Sequence, residues 1–195
     1  MSTGNANTPP PTRPKRADAR LNEQILLDAA AALFVTAGVD VPIREVAAKA
    51  GVGTATIYRH FPTRADLVVA VYRHQVEACV QAGPELLASS PGPYAALERW
   101  MGLFVDFLIT KHGLAAAMQS GKPGFTTLQV SFLDRLLPVC EELLAAATVA
   151  GEIHQGIEAF ELMYGVGNLC IGMGTDPRYD VRRLVALLIG GLRRP

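Results

Sequence analysis

Between Gly38 and Pro62 the chain has room for two short helices and one sharp turn, and no other stretch constrains the fold so tightly. From Pro42 to Ala50 the apolar residues Ile43, Val46, Ala47 and Ala50 recur at i, i+3, i+4 and i+7. That spacing buries one stripe and leaves Arg44, Glu45 and Lys49 outside. Gly51 then breaks the chain, and a second short helix runs from Thr54 to His60, stopped by Pro62, which cannot continue it. On this helix Ile57 and Phe61 lie i, i+4 apart and point inward, whereas Thr54, Ala55, Tyr58 and Arg59 share the opposite face. A seven-residue helix with two threonines, a tyrosine, an arginine and a histidine is too polar and too short to be core. Ala47 and Ala50 let the two helices approach closely, and Val52 in the turn plugs the gap between them. Such a pair is a helix-turn-helix, and its second helix has the dimensions and polarity of a major-groove reader.

The remaining sequence is helical in period, with no alternation of the kind a strand needs. The expected fold class is all-α with about nine helices: a three-helix helix-turn-helix headpiece followed by a helical C-terminal body. Residues 1–17 hold four prolines among small polar residues and are expected to be disordered. Residues 18–75 form the headpiece and 76–195 the body. The first helix is expected from Asp18 to Ala37, with Ile25, Ala29, Ala32 and Leu33 on its apolar face and Gly38 as its stop. Thr63-Arg64-Ala65-Asp66 has the form of a capping box and opens a long helix expected to reach Ala82, before Gly83-Pro84. Further helices are expected over Tyr94–Lys111, Leu114–Ser120, Phe125–Val149, Glu158–Met173 and Arg178–Leu192.

Charge and cysteine usage narrow the function. The net charge is zero, but residues through Arg64 carry eight Lys/Arg against five acids, so a basic head sits on an acidic body. Half the residues are hydrophobic, yet no run approaches the roughly 18 apolar residues of a membrane span, and the N-terminus has no apolar signal core. Cys79, Cys140 and Cys170 are far apart in apolar helical stretches with no CxxC, and they read as small buried hydrophobes in a reduced, cytoplasmic protein. An all-helical enzyme would need a nucleophile–base pair, a metal cluster or a cofactor loop. The four histidines (His60, His74, His112, His154) are dispersed, and neither HExxH nor a Walker sequence occurs. No enzyme activity, cofactor or metal is expected. A partner-binding module that has lost DNA binding is disfavoured by the intact recognition face.

The run from Ile43 to Phe61, with its Ala-Gly-Val turn and Thr-Ile-Tyr-Arg-His-Phe helix, resembles the headpiece of the TetR family of transcriptional regulators. Arg64 and Leu67, which open the next helix, match the same pattern, as do Ile25, Ala29, Ala30, Leu33, Phe34 and Gly38 in the first helix. The resemblance covers about residues 19–75 and departs from the family at two positions. Pro42 stands where Ser or Thr usually begins the second helix, so a cap must come from elsewhere, Asp40 being the nearest oxygen. Gly53 stands where Ser usually caps the recognition helix, at a cost of only a few tenths of a kcal/mol, with Thr54 as an alternative cap.

The resemblance implies roles residue by residue. Tyr58 and His60 would donate to phosphate, and Arg64 would add charge at a helix N-terminus. Thr54, Ala55 and Arg59 are the candidates for base edges, Arg59 by bidentate contact to guanine, while Thr56 and Arg44 can touch backbone or base. Arg13, Lys15, Arg16 and Arg20 are open to two readings, a groove-reaching arm or a solvated tail. The same resemblance implies a homodimer through the last two helices (158–173 and 178–192), reading a near-palindromic double-stranded DNA operator, most commonly as a repressor. Gly165, Gly167 and Gly172 fit close helix–helix approach in that interface. A small-molecule effector is expected in the body. Its candidate lining is Trp100, Phe104, Phe107, Met118, Phe125, Tyr164 and Asn168, although an aromatic stripe at this spacing also suits plain core. With no charge cluster among these positions, an apolar or weakly polar effector is expected. Arg193 and Arg194 read as complements to a helix C-terminus.

Overall fold

The computed structural model describes residues 13–117, 125–173, 176 and 178–194, with side chains described for 21–111, 132–173, 176 and 178–194. Met118, the side chain of Phe125, and the tail through residue 12 therefore lie outside the described residues. So do the side chains of Arg13, Lys15, Arg16 and Arg20.

Eight helices appear among the described residues: α1 (Arg13–Ala37), α2 (Ile43–Ala50), α3 (Thr54–His60), α4 (Arg64–Ser89), α5 (Pro93–Ala117), α6 (Phe125–Val149), α7 (Ala159–Ile171) and α8 (Val181–Gly190). The all-α expectation is met with one helix fewer than read from the sequence. The difference lies in α5, which runs through Gly113 to Ala117, so that the helices expected at 94–111 and 114–120 join over the described part. Helix α4 likewise continues through Gly83-Pro84, and α1 begins at Arg13, which makes residues 13–17 helical rather than disordered. No described helix is long and apolar enough to cross a membrane.

The buried face of α1 differs from the expected one. Ile25 is 45% exposed and Ala32 is also outside, while Leu26, Leu27, Ala29, Ala30 and Phe34 are buried. Helix α1 packs against α2, α4 and α5 together, so its buried face is wide and centred about one residue, or roughly 100°, from the expected stripe. Phe34, Val46, Ile57, Phe61, Leu67 and Val71 belong to one buried cluster that continues without a break into the body.

Helix α4 is shared by headpiece and body, and it packs on α5 and α6 as well as on α1. Its start is the expected capping box: Thr63 Oγ1 accepts from the Asp66 amide (3.1 Å) and Asp66 Oδ2 accepts from the Thr63 amide (3.0 Å). In the body an aromatic ladder forms the centre. Trp100 stacks on Phe104 with centroids 5.8 Å apart, Phe104 on Phe107 at 6.2 Å, and Phe107 meets Tyr72 and Phe132 at 5.1 and 5.2 Å. The three free cysteines are all buried, as expected.

The C-terminus is strapped to the α6–α7 loop rather than merely trailing a helix end. The amide of Arg194 donates to the carbonyl of Glu152, and the amide of His154 donates to the carbonyl of Leu192, each at 2.9 Å. Glu152 also accepts from the Tyr94 amide at 2.6 Å, while the Arg193 guanidinium lies 5.3 Å from the centre of the Tyr94 ring. The Arg193 guanidinium is thus placed over Tyr94, a contact the helix-end reading did not include.

Candidate nucleic-acid interface

Two short helices need help to stand, because isolated helices of this length are marginal in water and owe their stability to packing. Helix α2 is held by Val46 and Ala47, both buried, with Ile43, Ala50 and Val52 packed against the same core. The turn is made by Gly51 at φ 68°, ψ 27°, a left-handed conformation that favours glycine, and its amide bonds back toward the carbonyls of Ala47 and Ala48. The Val52 amide adds a bond to the Ala47 carbonyl at 3.0 Å. Pro42 caps α2 without a side-chain hydrogen bond, so the expected contribution of Asp40 is not made. Gly53 takes the N-cap of α3, and the helix keeps its full seven residues rather than starting later at a Thr54 cap.

Helix α3 is pinned from behind by Ile57, 1% exposed, and Phe61, 7% exposed. Its outer face carries Thr54, Ala55, Tyr58, Arg59 and His60, all exposed, with Thr56 half-buried at the edge and Tyr58 52% open to solvent. Arg44 projects from α2, also exposed. The first turn of α3 holds no acid, and its last turn holds Arg59 and His60. This set can donate hydrogen bonds to phosphate and present a bidentate fork to a base edge.

Arg64 is placed otherwise than expected. Its guanidinium turns inward and donates to the carbonyls of Val39, Asp40 and Val41 in the α1–α2 loop. The chain reverses there at Gly38, φ 80°, and leaves carbonyls that no helix uses. An arginine fork supplies enough donors to answer several of them at once. The sequence held no signal for this contact, since donor and acceptors are 23 to 25 residues apart. Equally unsignalled is the hydrogen bond between His74 Nε2 and Asp28 Oδ1 (2.7 Å), which ties α4 to α1.

The expected effector lining is dispersed. Trp100, Phe104 and Phe107 are 0%, 1% and 0% exposed and pack as dry core, and the Trp100 indole donates to the Cys79 carbonyl at 2.8 Å. Tyr164, 63% exposed, and Asn168 lie on the outer face of α7 and do not face the body interior. Met118 and the Phe125 side chain fall outside the described residues.

Comparison with known proteins agrees with this architecture at both ends of the chain. Residues 26–71 match the family model described as bacterial regulatory proteins, tetR family, and residues 92–194 match that of the transcriptional regulator SbtR-like C-terminal domain. A TetR transcriptional regulator from Streptomyces coelicolor is 32% identical, with 88% of this chain and 98% of that one covered and a TM-score of 0.69. A TetR regulatory protein from Mycobacterium vanbaalenii is also 32% identical over 93% and 100% of the two chains, at a TM-score of 0.66. An HTH-type transcriptional regulator of Staphylococcus aureus (strain USA300) is 24% identical over 122 residues, 62% of this chain and 66% of that one. With matches running through both headpiece and body, the chain belongs to the TetR family of transcriptional regulators, and α2–α3 is its DNA-binding helix-turn-helix.

Proposed function

We propose that the protein is a homodimeric repressor that reads a near-palindromic operator and leaves it when a small, mainly apolar effector binds in the C-terminal body. The observation that carries the reading is the solvent-facing α3, anchored behind by Ile57 and Phe61. In this reading Arg59 meets a base edge, Thr54 and Ala55 sort neighbouring bases, Tyr58 and His60 hold phosphate, and Arg44 and Thr56 flank the groove. Arg64 serves as a positioning residue, holding the α1–α2 loop against the head of α4.

One short recognition helix reads too few base pairs for useful affinity, so two are brought to half-sites a helical turn apart, about 34 Å. Support for the dimer comes from the outer face of α7 and α8. There Phe160, Tyr164, Ile171 and Leu187 are 52%, 63%, 66% and 65% exposed, and Phe160 stacks on Tyr164 with centroids 5.8 Å apart. Such a patch is more apolar than a lone protomer's surface favours. Gly167 on α7 meets nothing within 4 Å of where a Cβ would stand, which suits close approach of a partner helix. Gly172 has a different reason: a Cβ there would lie 3.2 Å from the Tyr179 ring. Release follows if the effector prefers a dimer whose two α3 helices miss the half-site spacing. Helices α4 and α1, both packed on the body, would carry that change to the headpiece.

The test is fluorescence anisotropy with labelled DNA from upstream of the protein's own coding sequence, at two salt concentrations. Phosphate contacts release counterions, so affinity should fall steeply between them. An enzyme or a protein adaptor of this fold would bind that DNA at neither salt concentration.

A further inference from the structure

Asn168, expected in an effector pocket, stands instead on the surface of α7 in a row of apolar side chains. Phe160, Tyr164, Asn168 and Ile171 recur at i, i+4, i+8 and i+11, all exposed, while Leu162, Met163, Val166 and Cys170 are buried on the opposite side. At about 100° per residue the four exposed positions share an arc of roughly 80°. Three of them bring rings or branched hydrocarbon. Asn168 alone brings a carboxamide, and no hydrogen bond engages it among the described residues. Gly167 sits beside it, and a Cβ there would meet nothing within 4 Å. The helix surface is therefore low next to the row's one carboxamide, so a second helix crosses closest at Gly167 and Asn168.

Covering this row strips water from Asn168, and a buried amide without partners is a standing penalty. In a twofold assembly a residue near the axis faces its own copy. A carboxamide is complementary to itself, with an oxygen that accepts and an NH2 that donates. We infer that Asn168 pairs with the partner subunit's Asn168 where the two α7 helices cross, and that this pair fixes the register of the homodimer. A slide of one α7 along the other by a turn would leave both amides against hydrocarbon. A polar residue set singly in an apolar interface specifies alignment in this way. Register matters to DNA because it sets the distance between the two α3 helices, and half-sites stand about 34 Å apart. The inference rests on the dimer proposed above and adds the residue that aligns it.

Asn168 is exposed in the protomer, so charges placed there leave the fold of one chain unthreatened. Asn168→Asp and Asn168→Lys should each weaken the dimer at least a hundredfold at pH 7 by sedimentation, because like charges then face each other across the axis. Mixing the two variants should bring dimerisation back to within tenfold of native, with one chain of each kind in the dimer by native mass spectrometry. Asn168→Leu should remain associated yet bind operator DNA at least fivefold more weakly, since apolar packing then holds without a fixed register. Dimers indifferent to both charges, or a mixture that recovers nothing, overturn the pairing. A leucine variant with native operator affinity overturns the register role. A native chain that sediments as a monomer would refute the dimer itself. A native dimer broken by Phe160→Glu with Tyr164→Glu, but unmoved by charge at residue 168, refutes the Asn168 pair and leaves the dimer face standing.

Discussion

Tyr58 and Arg59 are neighbours on one exposed face, yet their chemistry divides the work of reading DNA. A guanidinium fork discriminates among bases, at about 1–3 kcal/mol per bidentate pair, whereas a phenol on phosphate holds every sequence alike. Arg59→Ala should therefore flatten the preference at one operator position, and Tyr58→Phe should weaken all sites evenly; competition binding on a panel of single-base operator variants separates the two. If the effects came out exchanged, the roles would be exchanged. Arg64 belongs to a different class, because its donors already face the Val39, Asp40 and Val41 carbonyls. Arg64→Ala should lower the melting temperature by the equivalent of about 1.5–3 kcal/mol, the range for hydrogen bonds to a charged group, with the salt dependence of DNA binding unchanged. A phosphate ligand would do the opposite, leaving stability alone and reducing the salt slope by about one.

Helix α4 illustrates how an element's own sequence can mislead. Gly83-Pro84 looks like a stop, since proline removes a backbone donor and glycine favours a break. The helix nevertheless continues to Ser89. Pro84 faces solvent, while Gly83 is buried where α6 crosses; a Cβ at Gly83 would stand 2.4 Å from Val139 Cγ1. The glycine thus marks a close approach of two helices, a property of the pair. Gly83→Ala should destabilise by about 1–3 kcal/mol through overpacking, and the double variant with Val139→Ala should recover part of that loss. Thermal melts of the three variants decide the point. By contrast, the Thr63–Asp66 capping box was readable in full, because all of its partners lie within four residues.

For the molecule as a whole, two expectations follow from what is covered and what is not. The patch of Phe160, Tyr164, Ile171 and Leu187 is the proposed dimer face. The pair Phe160→Glu and Tyr164→Glu should give a folded monomer by sedimentation, with operator affinity lost because half-sites can no longer be bridged. A dimer that survives both changes would remove this face from the assembly. Burial of the three thiols sets the second expectation. Burial raises their pKa from an ordinary 9.0 to about 12 for Cys79 and Cys140 and about 11 for Cys170. A raised folded value means that the native state holds these protons more tightly than the unfolded chain. Their stabilisation is complete below pH 9 and is lost as pH climbs toward 11 to 12. Melting temperature should fall over that window, and thiolate-seeking reagents should leave the native protein unlabelled at pH 8.

Those features that depend on neighbours in sequence were determined by the sequence itself. The helical period, the break at Gly51, and the polar outside of α3 against Ile57 and Phe61 each need only a few adjacent residues to be recognised. What depends on which surfaces meet was decided by the tertiary structure. It turned Arg64 inward, made Trp100, Phe104 and Phe107 a dry ladder, set Tyr164 and Asn168 on the outer face of α7, and joined α1, α4 and α5 around Gln75. The physical reason is range: a turn or a cap is closed by bonds a few residues long, whereas burial and side-chain pairing are settled only when distant helices pack.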